Sequence, residues 1–139
     1  MEPIRLAFAI RTYDIDYAGI VSNITYIRWL EDLRLELLER AYPLGRLVAD
    51  GLGPVLLETR IVYRDALTLF DRPEGRMRVE TVERVRWVVA AEFTTGDGGR
   101  IHATARQTGI FVHLATRRPA PVPEELRALF AGRQGRPEE

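Results

Sequence analysis

The chain contains no cysteine, no lysine and only one serine, Ser22. These absences exclude disulfides, thiolate metal ligands, cysteine nucleophiles and Schiff-base lysines, and leave one residue for any serine nucleophile. An excess of one charge is also missing. The 20 basic and 20 acidic side chains cancel, so neither a general nucleic-acid footprint nor an electrostatic membrane mechanism is suggested, local arginine clusters aside. No apolar run approaches the roughly 20 residues of a membrane span. The N-terminus, MEPIRLAFAI, lacks an apolar core of signal-peptide length and leads straight into a strand pattern. A soluble cytoplasmic protein is expected, with no nucleic-acid or membrane partner.

At 139 residues the chain fits one domain, expected over 1–131, followed by a disordered polar tail over 132–139. Ile4 to Thr12 reads as a first strand. Gly19 to Asn23 turns into a long helix with Ser22 or Asn23 as N-cap, and Leu30, Leu33, Leu37, Leu38 and Ala41 recur at helical spacing. Pro43 and Gly45 close that helix, and Gly51 and Gly53 punctuate the following loop. Alternation then predicts strands around Val55–Tyr63, Met77–Thr81, Trp87–Phe93 and Arg100–Leu114, with a hairpin signal in GDGG at 96–99. Pro123, Glu124 and Glu125 open a short C-terminal helix. One strand, one long helix and then four antiparallel strands predict an α+β fold, a sheet wrapped over a single central helix. One helix cannot cover both faces of such a sheet, so a second copy of the chain is expected to bury the other face or an edge, giving a dimer or tetramer.

The segment richest in chemistry is Arg11 to Arg34, RTYDIDYAGIVSNITYIRWLEDLR, where two aspartates and a glycine precede the helix. The unpaired N–H groups and positive dipole end of a helix N-terminus can polarise a carbonyl oxygen while a neighbouring carboxylate attacks or activates water. That arrangement suits acyl transfer. Aspartate also caps turns in loops, and Asp14 is read that way.

The spacing of Asp16, Gly19, Val21, Asn23, Tyr26, Trp29, Glu31 and Arg34 resembles the motif of hotdog-fold thioesterases, specifically the hydroxybenzoyl-CoA and acyl-CoA thioesterase group. The resemblance spans residues about 5 to 125. Many relatives carry histidine after the glycine or at the position of Asn23, where this chain has Ile20 and Asn23. The resemblance implies hydrolysis of an acyl-CoA or aroyl-CoA, with no cofactor and no metal. It implies Asp16 as the catalytic carboxylate, nucleophile or general base, and the backbone N–H near Asn23 as the carbonyl-polarising donor. Gly19 would admit the thioester close to the backbone, Ser22 or Thr25 would hydrogen-bond substrate or water, and Tyr26 with Trp29 would shape the acyl pocket, although core packing is the commoner fate of large aromatics at helical positions. Tyr17 would narrow that pocket.

Other readings compete. Ser22 has no G-x-S-x-G elbow, so an N-cap hydroxyl explains it more simply than a nucleophile served by His102 or His113. The two histidines lack metal-ligand spacing and read as surface or sheet-packed residues. Glu31, Asp32, Glu36 and Glu39 pair with helix arginines such as Arg28, Arg34 and Arg40, although Glu31 and Glu36 are fallback carboxylates because another hotdog subgroup uses a helix glutamate. Arg64, Arg72, Arg76, Arg84, Arg86, Arg117 and Arg118 are candidates for coenzyme A phosphates. An acyl carrier protein as substrate, a hydratase with a histidine beside Asp16, and a non-catalytic acyl-CoA-binding protein are the alternatives.

Overall fold

Antiparallel pairing organises the chain from its first residues. The computed structural model describes residues 1–97 and 99–131. Its elements are β1 (Ile4–Ala7), a 3-10 turn (Thr12–Asp14), α1 (Asn23–Ala41), α2 (Leu44–Ala49), β2 (Leu52–Tyr63), β3 (Glu74–Val82), β4 (Arg86–Thr95), β5 (Arg100–His113), β6 (Pro119–Ala120) and α3 (Glu124–Leu129). The strands form one sheet in the order β1-β3-β4-β5-β2, with β6 paired to β5 outside that path. Every pairing is antiparallel, so the α+β expectation holds.

Local details differ from the sequence reading. The first strand ends at Ala7 rather than Thr12: Phe8 donates its N–H to Pro73 O at 3.0 Å, and Arg11 to Asp14 close a turn in which the Arg11 N–H bonds Asp14 Oδ2 at 2.8 Å. Pro43 does end α1, but it also N-caps a second helix, α2, which contains Gly45. The Tyr42 hydroxyl fixes this corner by donating to Asp50 Oδ2 at 2.6 Å, with Arg46 stacked 4.1 Å above the Tyr42 ring. The hairpin motif at 96–99 includes Gly98, and the tail 132–139 follows the last described residue; both expectations touch positions outside the described residues.

Helix α1 forms where the apolar period is 3.6, and Ser22 caps it by accepting the Ile24 N–H at 3.3 Å. Its buried stripe, Tyr26, Trp29, Leu30, Leu33 and Leu37, packs on the sheet. The Tyr26 ring meets Trp29, Tyr63 and Phe93 edge-on at 5.4, 5.3 and 5.4 Å, while Phe8 stacks on Trp29 at 5.0 Å. Gly75 has to be glycine: a Cβ there would sit 2.5 Å from the Phe8 ring and 3.1 Å from Leu33. The helix can therefore lie close on β3.

The opposite face of the sheet is polar. Met77, Val79, Val89, Ala91, Phe93, Ala103, Ala105 and Phe111 are buried, and they alternate with Arg76, Arg78, Glu80, Ala90, Glu92, Thr104, Arg106 and Thr108. Such a face can meet water directly. Four exposed apolar side chains, Val55, Leu57, Val62 and Tyr63, lie on the edge strand β2.

Candidate active site

The loop before α1 is built from local hydrogen bonds. Asp14 is buried, and besides holding Arg11 it offers its carbonyl to the Ser22 N–H at 2.8 Å and to the Thr25 hydroxyl at 3.4 Å. This residue ties the turn to the helix start, as read from sequence. Ile15 and Val21 then form an isolated antiparallel bridge. Inside it, the Asp16 N–H donates to Ile20 O at 2.9 Å and the Gly19 N–H to Asp16 O at 3.0 Å. Gly19 has φ +80°, the left-handed region glycine enters without strain, which is the local reason for a glycine three residues after Asp16.

Asp16 is half-buried, and its Oδ1 accepts the Ala18 N–H at 2.8 Å. The turn role of an aspartate is thus real for one oxygen. Among the described residues no hydrogen bond or ion pair occupies the other oxygen, Oδ2. Asn23, the first residue of α1, is exposed, and its backbone N–H has no protein acceptor among the described residues, whereas those of Ile24 and Thr25 both bond Ser22. A free carboxylate oxygen and a free helix-start N–H therefore belong to the same bridge-and-turn unit, residues 14–25.

Other predicted positions take different places. Gly19 is exposed and Ser22 is the N-cap. Thr25 and Tyr26 are each only 3% exposed, the first with its hydroxyl on Asp14 and the second within the aromatic cluster. Burial, reinforced by Tyr63, Asp65 and Asp71, pushes the Tyr26 hydroxyl up to about 12. Tyr17 projects fully into solvent. Glu31 and Glu36 pair with Arg34 at 3.8 Å and Arg40 at 3.0 Å.

His102 is buried, with Nε2 2.7 Å from the Thr95 hydroxyl and Nδ1 3.1 Å from Asp65 O. Asp65 Oδ2 lies 3.6 Å from the same ring and 2.6 Å from Arg100. Both ring nitrogens are thus engaged by Thr95 and Asp65, so neither a Ser22 nucleophile nor a hydratase site gains His102 as its base. Sequence reasoning missed this cluster and a second one, in which Arg34 Nη1 donates to Gln107 Oε1 at 2.7 Å and Gln107 Nε2 to Thr59 at 3.0 Å. Gln107 is 1% exposed. An isolated glutamine on an inward strand position was the only signal for it.

Comparison with known proteins agrees with this architecture. The chain belongs to the thioesterase-like superfamily, whose family model matches residues 10–130. Its fold is similar to that of a 1,4-dihydroxy-2-naphthoyl-CoA thioesterase from Synechocystis, 16% identical, with a TM-score of 0.81 over 93% of this chain and 96% of the other. It is likewise similar to a gentisyl-coenzyme A thioesterase, 20% identical, TM-score 0.80, over 89% of this chain and 99% of the other. A hypothetical protein from Staphylococcus aureus in complex with CoA is 15% identical, with a TM-score of 0.86 over 99% of this chain and 89% of the other. These likenesses establish the hotdog fold. No curated protein matches the sequence significantly. No helix among the described residues is long and apolar enough to cross a membrane.

Proposed function

We propose that this protein hydrolyses an acyl-CoA or aroyl-CoA to the free acid and CoA. The observation that carries the reading is that one bridge-and-turn unit, closed by Ile15 and Val21, holds both the unbonded Asp16 oxygen and the unbonded Asn23 N–H at the start of a 19-residue helix. The N–H and helix dipole would polarise the thioester carbonyl oxygen and stabilise the negative charge that develops on it. Asp16 Oδ2 would act in one of two ways. It would attack the carbonyl carbon, expelling CoA thiolate and leaving a mixed anhydride for water to open, or it would remove a proton from water as that water attacks. Ala18 holds the other carboxylate oxygen, so the reacting one is positioned without losing the turn. Named relatives of the fold that act on aromatic CoA thioesters favour a CoA substrate.

An acyl carrier protein is the second reading, kept for one observation. Arg60, Arg76, Arg78 and Arg106 line a groove of about 510 Å³ on the outer sheet face, a surface suited to an acidic carrier. The exposed β2 edge would join two copies into a homo-oligomer.

The test is free-thiol release from a panel of short, long and aromatic acyl-CoAs and from the corresponding acyl-carrier substrates. Turnover of one CoA class is expected. A folded protein that releases thiol from none of the CoA substrates would overturn the CoA reading.

A further inference from the structure

An apolar cavity lies apart from Asp16 and Asn23, and of the fallback carboxylates only Glu31 reaches it. The cavity has a volume of about 480 Å³ and lies between the second half of α1 and the sheet, with Leu126 and Phe130 also in its wall. Its walls are aliphatic and aromatic side chains from α1, β2, β3, β4 and β5, among them Leu38, Leu56, Val89 and Phe111, and among the described residues two charged ones reach it, Glu31 and Arg34. A space of this size is within the range of small-molecule sites, about 300–1,000 Å³. At the roughly 30 Å³ that a water-sized group claims, it has room for about 16 such groups.

Arg34 is the informative residue. Its side chain is only 18% exposed, and burial lowers its pKa against the opposing effect of Glu31. One short bond, 2.7 Å, goes to the neutral amide of Gln107, which Thr59 holds in turn at 3.0 Å, so the guanidinium is fixed at the cavity without receiving an anion there. The one carboxylate near it, Glu31, is 67% exposed and 3.8 Å away, a water-screened pair of little strength. A half-buried cation at the wall of an apolar space favours an anionic head on an apolar tail.

We propose that this cavity binds a straight-chain carboxylic acid, its alkyl chain between α1 and the sheet and its carboxylate on the Arg34 guanidinium. A thioester carbonyl carries no charge to match Arg34, whereas a carboxylate does. The site is separate from the Asp16 turn and does not rest on the thioesterase reading, although a free acid is also the product of that reaction.

Isothermal titration with octanoate, decanoate and decanol, with Trp87 at the cavity wall as a fluorescent reporter, tests the proposal. One decanoate per chain is expected, about fourfold tighter per added methylene from octanoate onward and at least tenfold tighter than decanol. Arg34→Gln should bring decanoate down to the decanol level and Arg34→Lys should restore part of the difference. Glu31→Gln should tighten decanoate severalfold, and Leu38→Trp, which fills the cavity, should remove both ligands. Equal affinity for decanoate and decanol would overturn the proposal, as would full decanoate binding by folded Arg34→Gln or Leu38→Trp. Asp16→Asn should bind decanoate like the parent. A non-hydrolysable decyl-CoA thioether at saturation should leave decanoate binding unchanged; competition between them would assign the cavity to the thioester site and end the claim of a second one. Absence of thiol release with decanoate binding intact would remove the thioesterase reading alone.

Discussion

Replacing Asp16 by asparagine and, separately, by alanine divides its two roles. Asparagine keeps an Oδ1 that can accept the Ala18 N–H now bonded at 2.8 Å. Its folded stability should therefore stay within about 1 kcal/mol of the parent. Alanine deletes that bond and should lose about 1–2 kcal/mol, near the upper end because the acceptor is charged, or roughly 3–6 °C in thermal midpoint for a domain of this size. Chemistry should follow the opposite order of conservatism. Both variants lack the carboxylate, so both should lose about 10²–10⁴-fold in thiol release, equivalent to about 3–5 kcal/mol of transition-state stabilisation. Substrate KM should change little for asparagine, since the loss concerns the reacting step rather than binding. The assay is thiol release from the best CoA substrate, read beside thermal unfolding of the same samples. An asparagine variant turning over within about threefold of the parent, with only alanine impaired, would show that Asp16 is a turn residue and refute the catalytic reasoning.

Ser22→Ala should lose about 1 kcal/mol through its N-cap bond to Ile24 yet retain measurable thiol release; complete loss of turnover in a folded variant would make the hydroxyl part of the chemistry. Gly109→Ala would place a Cβ 2.1 Å from the Trp87 ring and should destabilise by about 1–3 kcal/mol in urea unfolding, with an unchanged midpoint contradicting the close packing of β4 on β5. Tyr26 holds its proton up to about 12 when folded, above its usual value near 10, so its contribution is fully present below pH about 10 and lost as pH rises toward 12. Chemical denaturation should register a fall of about 2–3 kcal/mol over that window, and Tyr26→Phe should flatten it. Leu57→Asp, on the exposed β2 edge, should reduce the mass measured by light scattering to that of a single chain if the oligomer forms there; an unchanged assembly would place the contact elsewhere.

The elements that followed from the sequence share one property: their signals are local. The apolar spacing from Tyr26 to Leu37, the Ser22 cap and the alternation of β3 to β5 each depend on neighbours a few residues away, and so did the turn of Asp16 around Gly19. Asp14 was readable as structural for the same reason. Pro43 carried an ambiguity that local rules do not resolve, because a proline that stops one helix is equally suited to open the next.

The remaining features depend on which distant residues the sheet brings together. Arg34 meets Gln107, 73 positions later, and His102 meets Asp65 and Thr95 from different strand ends, because the register β4-β5-β2 aligns them. The polar outer face was likewise a matter of strand order, and only that order placed Val55, Leu57, Val62 and Tyr63 on an edge strand. Short-range periodicity thus specified the helix, the strands and the turn that carries Asp16. The cavity, the half-buried arginine and the histidine cluster came from long-range packing, since no residue type or spacing in one segment encodes what another segment will place against it.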